Sequence, residues 1–226
     1  MNTILREILE TNVVYTPDGK ALQLHSHIPQ PECEIIQQWI NDHQPHNLLE
    51  IGFGYGISSL FICDAIKGMQ GITYHIIDAF QSSTWNTVGI YNLKKAGFET
   101  VFTFHEELSE ICLPGMLKEG MTFDFALIDG FHAFDQTLVD FFYINKMLQP
   151  GGLVIFDDIQ LPSTKKVVEY VSTFDCYKPL LVPARFLKSV KARARRMIDV
   201  PEFRIHGFLK TMKDNRKWDW QKNFDY

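Results

Sequence analysis

The 226-residue sequence predicts an α/β fold in which a mostly parallel sheet carries helices on both faces. Two observations lead there. Short apolar runs alternate with segments of helical period through most of the chain. Three glycines at alternate positions, Gly52, Gly54 and Gly56, stand where one such run gives way to a helix. Strands this apolar must be buried on both faces, and crossover helices supply the cover.

Residues 1–45 read as an N-terminal helical extension on the substrate side, and 46–226 as the main domain, together one compact unit. Ile4 to Glu10 reads as a short amphipathic helix and Thr16-Pro17-Asp18-Gly19 as a turn. Pro31 opens a helix in which Ile35, Ile36, Trp39 and Ile40 recur at helical spacing, closing near Asn41-Asp42-His43. The alternation then runs strand Asn47 to Ile51, helix Ile57 to Ile66, strand Ile72 to Ile77 and helix Thr84 to Ala96. It continues as strand Thr100 to Phe104, helix Leu108 to Lys118, strand Phe123 to Ile128 and helix Asp135 to Leu148. Strand Gly152 to Phe156 and helix Ser163 to Tyr170 complete it. Tyr177 to Val182 and Arg204 to Met212 read as two further strands, joined by a segment that includes the basic run Lys188 to Arg196. That run reads as a solvated helix face, with an acidic-ligand clamp or a partner patch as the alternatives.

Composition narrows the function class. A net charge of -5 leaves no basic footprint for nucleic acid, so a small-molecule ligand is expected. Cys33, Cys63, Cys112 and Cys176 lie far apart, which suggests neither a disulfide framework nor a cysteine zinc site. No apolar run approaches the roughly 20 residues that span a bilayer, and the first residues lack a signal-peptide core. A cytoplasmic protein without a membrane partner is expected, with a homodimer left open.

The loop Leu49-Glu50-Ile51-Gly52-Phe53-Gly54-Tyr55-Gly56 follows a strand and opens a helix, the place where backbone amides face a ligand. Glycine there permits a tight turn and close approach of an adenosyl group. A dinucleotide fingerprint needs G-x-G-x-x-G, but the third position is Ser59 in one frame and Ile57 in the other. Glu50 before the first glycine favours a cationic ligand over a pyrophosphate. S-adenosylmethionine, with its sulfonium and ammonium, meets that requirement. Asp78 closes the next strand, where doubly wound folds place a carboxylate on the ribose hydroxyls.

A second acidic set stands at Ile128-Asp129-Gly130-Phe131-His132 and Phe156-Asp157-Asp158. The carboxyl ends of neighbouring strands line one crevice, so Asp129, Asp157 and Asp158 are expected to converge. Crowded carboxylates repel unless protons or a cation intervene, and oxygen ligands suit magnesium. Asp129 and His132 are the expected catalytic pair, with His132 accepting the acceptor's proton. The alternative is that Asp157 or Asp158 caps the following helix and His132 is a surface turn residue.

These segments, with Leu148-Gln149-Pro150-Gly151-Gly152-Leu153-Val154-Ile155-Phe156, make the chain resemble class I S-adenosylmethionine-dependent methyltransferases, in the O-methyltransferase-like group (methyltransferase family 24-like). The resemblance implies a Rossmann-like, seven-stranded sheet whose last strand is antiparallel. It implies that Glu50, Gly52, Gly54, Gly56, Asp78, Ser109 and Asp129 bind the cofactor, with Glu106 and Glu107 also near the adenine. It further implies a metal at Asp129, Asp157 and Asp158, and Phe80 and Trp85 as packing on the cofactor or substrate side. The group often has proline where Ala79 stands. His25-Ser26-His27 matches no motif.

The sequence therefore points to O-methylation of a small hydroxylated molecule or sugar, assisted by a divalent metal. A non-catalytic cofactor-binding scaffold is the alternative from another class. A nicotinamide dehydrogenase is disfavoured by the glycine frame, and an N-methyltransferase by the absence of an N/D-P-P-Y element.

Overall fold

A computed structural model describes residues 1–187 and 203–223. The basic run Lys188 to Arg196 lies outside the described residues.

Helix α1 (Thr3–Thr11) is capped by Asn2, whose side chain accepts from the Ile4 amide. A two-stranded hairpin follows, β1 (Val13–Tyr15) and β2 (Ala21–Gln23), turning through the predicted Thr16–Gly19. Helix α2 (Gln30–His43) leads into β3 (Asn47–Ile51), α3 (Ile57–Ile66), β4 (Thr73–Ile77) and α4 (Val88–Lys95). Then come β5 (Thr103–His105), α5 (Ser109–Lys118), β6 (Phe123–Ile128), α6 (Phe134–Met147) and β7 (Leu148–Phe156). Helix α7 (Pro162–Val171) and strands β8 (Tyr177–Pro179) and β9 (His206–Lys210) complete the described order.

Seven strands form one sheet in the order β5-β4-β3-β6-β7-β9-β8. All neighbours are parallel except β9, which runs antiparallel to both β7 and β8. The antiparallel last strand and the α/β class are as expected. The order reverses between β3 and β6, and their carboxyl ends open the crevice where such sheets take ligands.

Period-2 alternation splits the core between two layers. Leu48, Phe125, Leu127, Leu153 and Ile155 face α2, α3 and α4 with Trp39, Leu60 and Phe61. Leu49, Ile51, Ala126, Ile128, Val154 and Phe156 face α5, α6 and α7 with Leu113, Phe141 and Val167.

Three predicted elements are corrected. Helix α4 begins at Val88 rather than Thr84, because Asn86 and Thr87 hold left-handed φ of 52° and 57°. Strand β5 pairs only over 103–105, and β8 ends at Pro179, with one further hydrogen bond from the Leu180 amide to the Gly207 carbonyl at 2.8 Å. The hairpin β1–β2 was read only as a turn. All four cysteines are buried and free, and among the described residues no helix is long and apolar enough to cross a membrane.

Candidate functional site

A cavity of about 260 Å³ opens at the carboxyl ends of β3, β4 and β6. Its walls include the glycine loop, Asp78, Trp85, Ser109, Asp129 and His132, with Ser26 and His27 from the β2–α2 connection.

Gly52 is required on two grounds. Its φ is +89°, and a Cβ there would stand 1.9 Å from the Asp129 carbonyl oxygen. That contact locks the glycine loop onto the end of β6. Gly56, at φ +77°, caps the start of α3, and its Cβ would press within 3.0 Å of Phe53. Gly54 also lines the cavity.

Asp78 is buried and serves the loop itself. Its Oδ2 accepts from the Phe53 and Gly54 amides, each at 3.0 Å, and its Oδ1 accepts from the Phe80 amide at 2.7 Å. Gln81 donates to the Gly54 carbonyl at 2.7 Å, a brace the sequence reading missed.

Glu50 is a correction. It is not part of the cavity lining. Its carboxylate is fully buried on the α3 side, accepting from Ser58 and Ser59 Oγ at 2.5 Å each and from the Tyr74 hydroxyl. Burial pushes its pKa up to about 7, against the lowering pull of those hydroxyls. Here Glu50 braces α3 against β3 and β4 instead of facing a cationic ligand. A serine pair eight and nine residues downstream was the available signal.

Ser109 lines the cavity at the start of α5 and accepts from Gln136 Nε2 at 3.0 Å. Glu107 lines it too, whereas Glu106 turns away to the amide and hydroxyl of Ser82, at 2.7 and 2.9 Å. At the mouth, Phe80 and Phe131 meet edge to face at 5.7 Å. Beside the glycine loop, Tyr55 hydrogen-bonds His25 Nε2 at 2.9 Å and packs at 5.0 Å on Trp85, so the unassigned His25-Ser26-His27 stretch is part of the wall.

The second acidic set does converge. The Asp129 amide donates to the Ile51 carbonyl at 2.8 Å and the Asp157 amide to the Ile128 carbonyl at 3.0 Å, aligning the three strand ends. Burial and the charges of Asp157 and Asp158 push the Asp129 carboxyl well above the ordinary range, although part of the residue opens on the cavity. Burial, then Asp158, pushes Asp157 up to about 7. Asp157 Oδ1 is buried with no hydrogen-bond partner.

His132 Nε2 lies 3.1 Å from Asp158 Oδ2. Donor atoms of Asp129, His132 and Asp158 all fall within 4.8 Å of one another. His132 thus joins Asp129 and Asp158 in this cluster, and Asp157 stands behind it. Of the four residues, only Asp129 and His132 line the cavity.

The sequence reading also missed a cation. Arg204 donates through Nε to Asp158 Oδ1 at 2.9 Å, with Nη2 on the same oxygen, and Nη2 stands 3.7 Å from Asp157 Oδ2. Three carboxyl groups share one guanidinium, so ionising Asp129 and Asp157, both pushed up, leaves excess negative charge. Hard oxygen donors, an orphaned Asp157 oxygen and that excess charge fit a divalent cation.

A family model described as a methyltransferase domain matches residues 49–159. No protein of curated function matches the chain. Among solved structures, the chain resembles an O-methyltransferase from Bacillus cereus in complex with S-adenosylhomocysteine (TM-score 0.67, 16% identity), covering 93% of this chain and 92% of that one. It is similarly close to TomG, an O-methyltransferase of Streptomyces achromogenes involved in tomaymycin synthesis, bound to S-adenosylmethionine (TM-score 0.67, 16% identity, 93% and 91% covered). The S-adenosylhomocysteine-bound methyltransferase PaMTH1 of Podospora anserina aligns at TM-score 0.68 and 15% identity, over 93% and 89%. At these identities the likeness is one of fold.

Proposed function

We propose that this chain, whose residues 49–159 match a methyltransferase domain and whose fold is that of solved O-methyltransferases, is an S-adenosylmethionine-dependent O-methyltransferase acting on a small hydroxylated molecule. One observation carries the reading: a single cavity has the glycine loop and Asp78 among its walls together with Asp129 and His132. In this reading cofactor and acceptor share one cavity.

In this reading Gly52, Gly54 and the Asp78-braced turn hold the adenosyl part, with Ser109 and Glu107 beside the adenine. The remaining oxygen valences of Asp78 receive the ribose hydroxyls. The acceptor hydroxyl lies beside His132. The contact from His132 Nε2 to Asp158 at 3.1 Å keeps that nitrogen as the donor and leaves Nδ1 basic. As the acceptor oxygen bonds to the cofactor methyl carbon, the carbon–sulfur bond breaks and sulfur keeps the electron pair. The hydroxyl proton passes to His132 Nδ1, and Asp158 stabilises the imidazolium. Magnesium on the carboxylates of Asp129, Asp157 and Asp158 would lower the acceptor's pKa.

The test is transfer of labelled methyl from S-adenosylmethionine to a panel of catechols and sugars, with and without chelator. Label on a hydroxyl oxygen, lost on chelation, supports the reading. Label on amines alone, or on none of the panel, counts against O-methylation, and full turnover in chelator removes the metal.

A further inference from the structure

We propose that Arg204 is a tethered counter-cation that occupies the Asp157–Asp158 carboxylates until a divalent ion displaces its guanidinium. This rests on the reading of those carboxylates as an ion site.

The backbone of Arg204 is pinned from both sides. Its amide donates to Glu32 Oε1 at 2.8 Å, and its carbonyl accepts from the Ile159 amide at 2.8 Å. The side chain remains 39% exposed, so it has a route to solvent.

The grip of the guanidinium favours exchange. Nε and Nη2 share one oxygen of Asp158, whereas the strong arrangement sets two parallel bonds on two oxygens. The other oxygen of Asp158 faces His132, and the second contact, to Asp157 Oδ2, is long at 3.7 Å. Asp157 itself is only 2% exposed and its Oδ1 has no partner, so one buried ligand oxygen is left unsatisfied with Arg204 in place. A dication would satisfy that oxygen and neutralise more of the cluster than one guanidinium can.

Arg204 should then do two opposite things. It holds the repelling carboxylates together without metal, and it weakens metal binding by competing for the same oxygens. Removing an outer-sphere partner usually lowers metal affinity by about 10- to 100-fold. Here the sign reverses.

The experiment is calorimetric titration of the full chain with Mn²⁺, comparing wild type, Arg204→Met and Arg204→Lys, with S-adenosylhomocysteine binding as the folding control. Arg204→Met is expected to bind Mn²⁺ about 10- to 100-fold tighter, with Arg204→Lys between. Equal or weaker binding by Arg204→Met, alongside a wild type that binds, overturns the counter-cation and leaves the ion site standing. Failure of both to bind Mn²⁺ removes the ion site and the proposal with it. Should the methionine variant not fold, the wild type still decides. Its Arg204 Nε–H resonance must shift on saturation with Mg²⁺, and an unmoved resonance contradicts displacement.

Discussion

Asp78 and Asp129 each close a strand that flanks β3, one at β4 and one at β6, and both line the same cavity. Their surroundings are opposite in kind. Asp78 accepts from three backbone amides and from Gln81 Nε2, so its carboxylate is hydrogen-bonded by donors built into the loop. Asp129 faces Asp157 and Asp158, and its carboxyl is driven up by burial and by their charge. Behind it, Asp157 leaves an oxygen orphaned and Asp158 holds a left-handed φ of 54°. The surroundings of Asp78 are settled before any ligand arrives. The surroundings of Asp129 store unfavourable electrostatics and backbone strain, as reacting sites commonly do.

The most damaging way to break this contrast is through the joint between its halves. Gly52→Ala would drive a Cβ into the Asp129 carbonyl, and at φ +89° the backbone cannot yield cheaply. A loss of about 3 kcal/mol or more in urea denaturation is expected, with cofactor binding lost as well. A variant of wild-type stability would show that the loop and β6 are not locked together.

Next in size is Asp158→Asn, which weakens the grip on both His132 and Arg204. Turnover should fall about 100-fold or more, while affinity for S-adenosylhomocysteine stays unchanged. A matching loss of cofactor affinity would merge two halves that the account keeps apart.

The smallest effect is a pH dependence. Asp157 has a folded pKa of about 7, above its ordinary 3.8, so its favourable contribution is complete below pH 4 and lost as pH rises through 7. Without metal, Asp157→Asn should therefore be more stable than wild type at pH 8 by about 1–3 kcal/mol, and no more stable at pH 4. Thermal unfolding at the two pH values measures it. An advantage of equal size at both would mean that charge crowding is not what strains the site.

The glycine-loop side was the more legible in sequence because its pattern is local. Gly52, Gly54 and Gly56 lie within one turn, and Asp78 closes the next strand, so spacing alone brings them to one loop. Glu50 was misread because its role depends on which sheet face it occupies. It lies on the α3 face with Leu48, opposite Leu49 and Ile51, and three hydroxyls take it there. The Asp129 side was legible only as strand-end carboxylates. Arg204 binds Asp158 from 46 residues away, and no local pattern announces a pairing formed when β9 inserts between β7 and β8. The hairpin β1–β2 escaped notice because two three-residue strands give alternation too short a span.

The most direct test of the central claim is calorimetric titration of the full chain with S-adenosylhomocysteine, repeated with Asp78→Asn and with a nicotinamide dinucleotide. The account predicts one binding site, about 10- to 100-fold weaker in Asp78→Asn, and no response to the dinucleotide. Absence of S-adenosylhomocysteine binding, or tight binding of the dinucleotide, would contradict it.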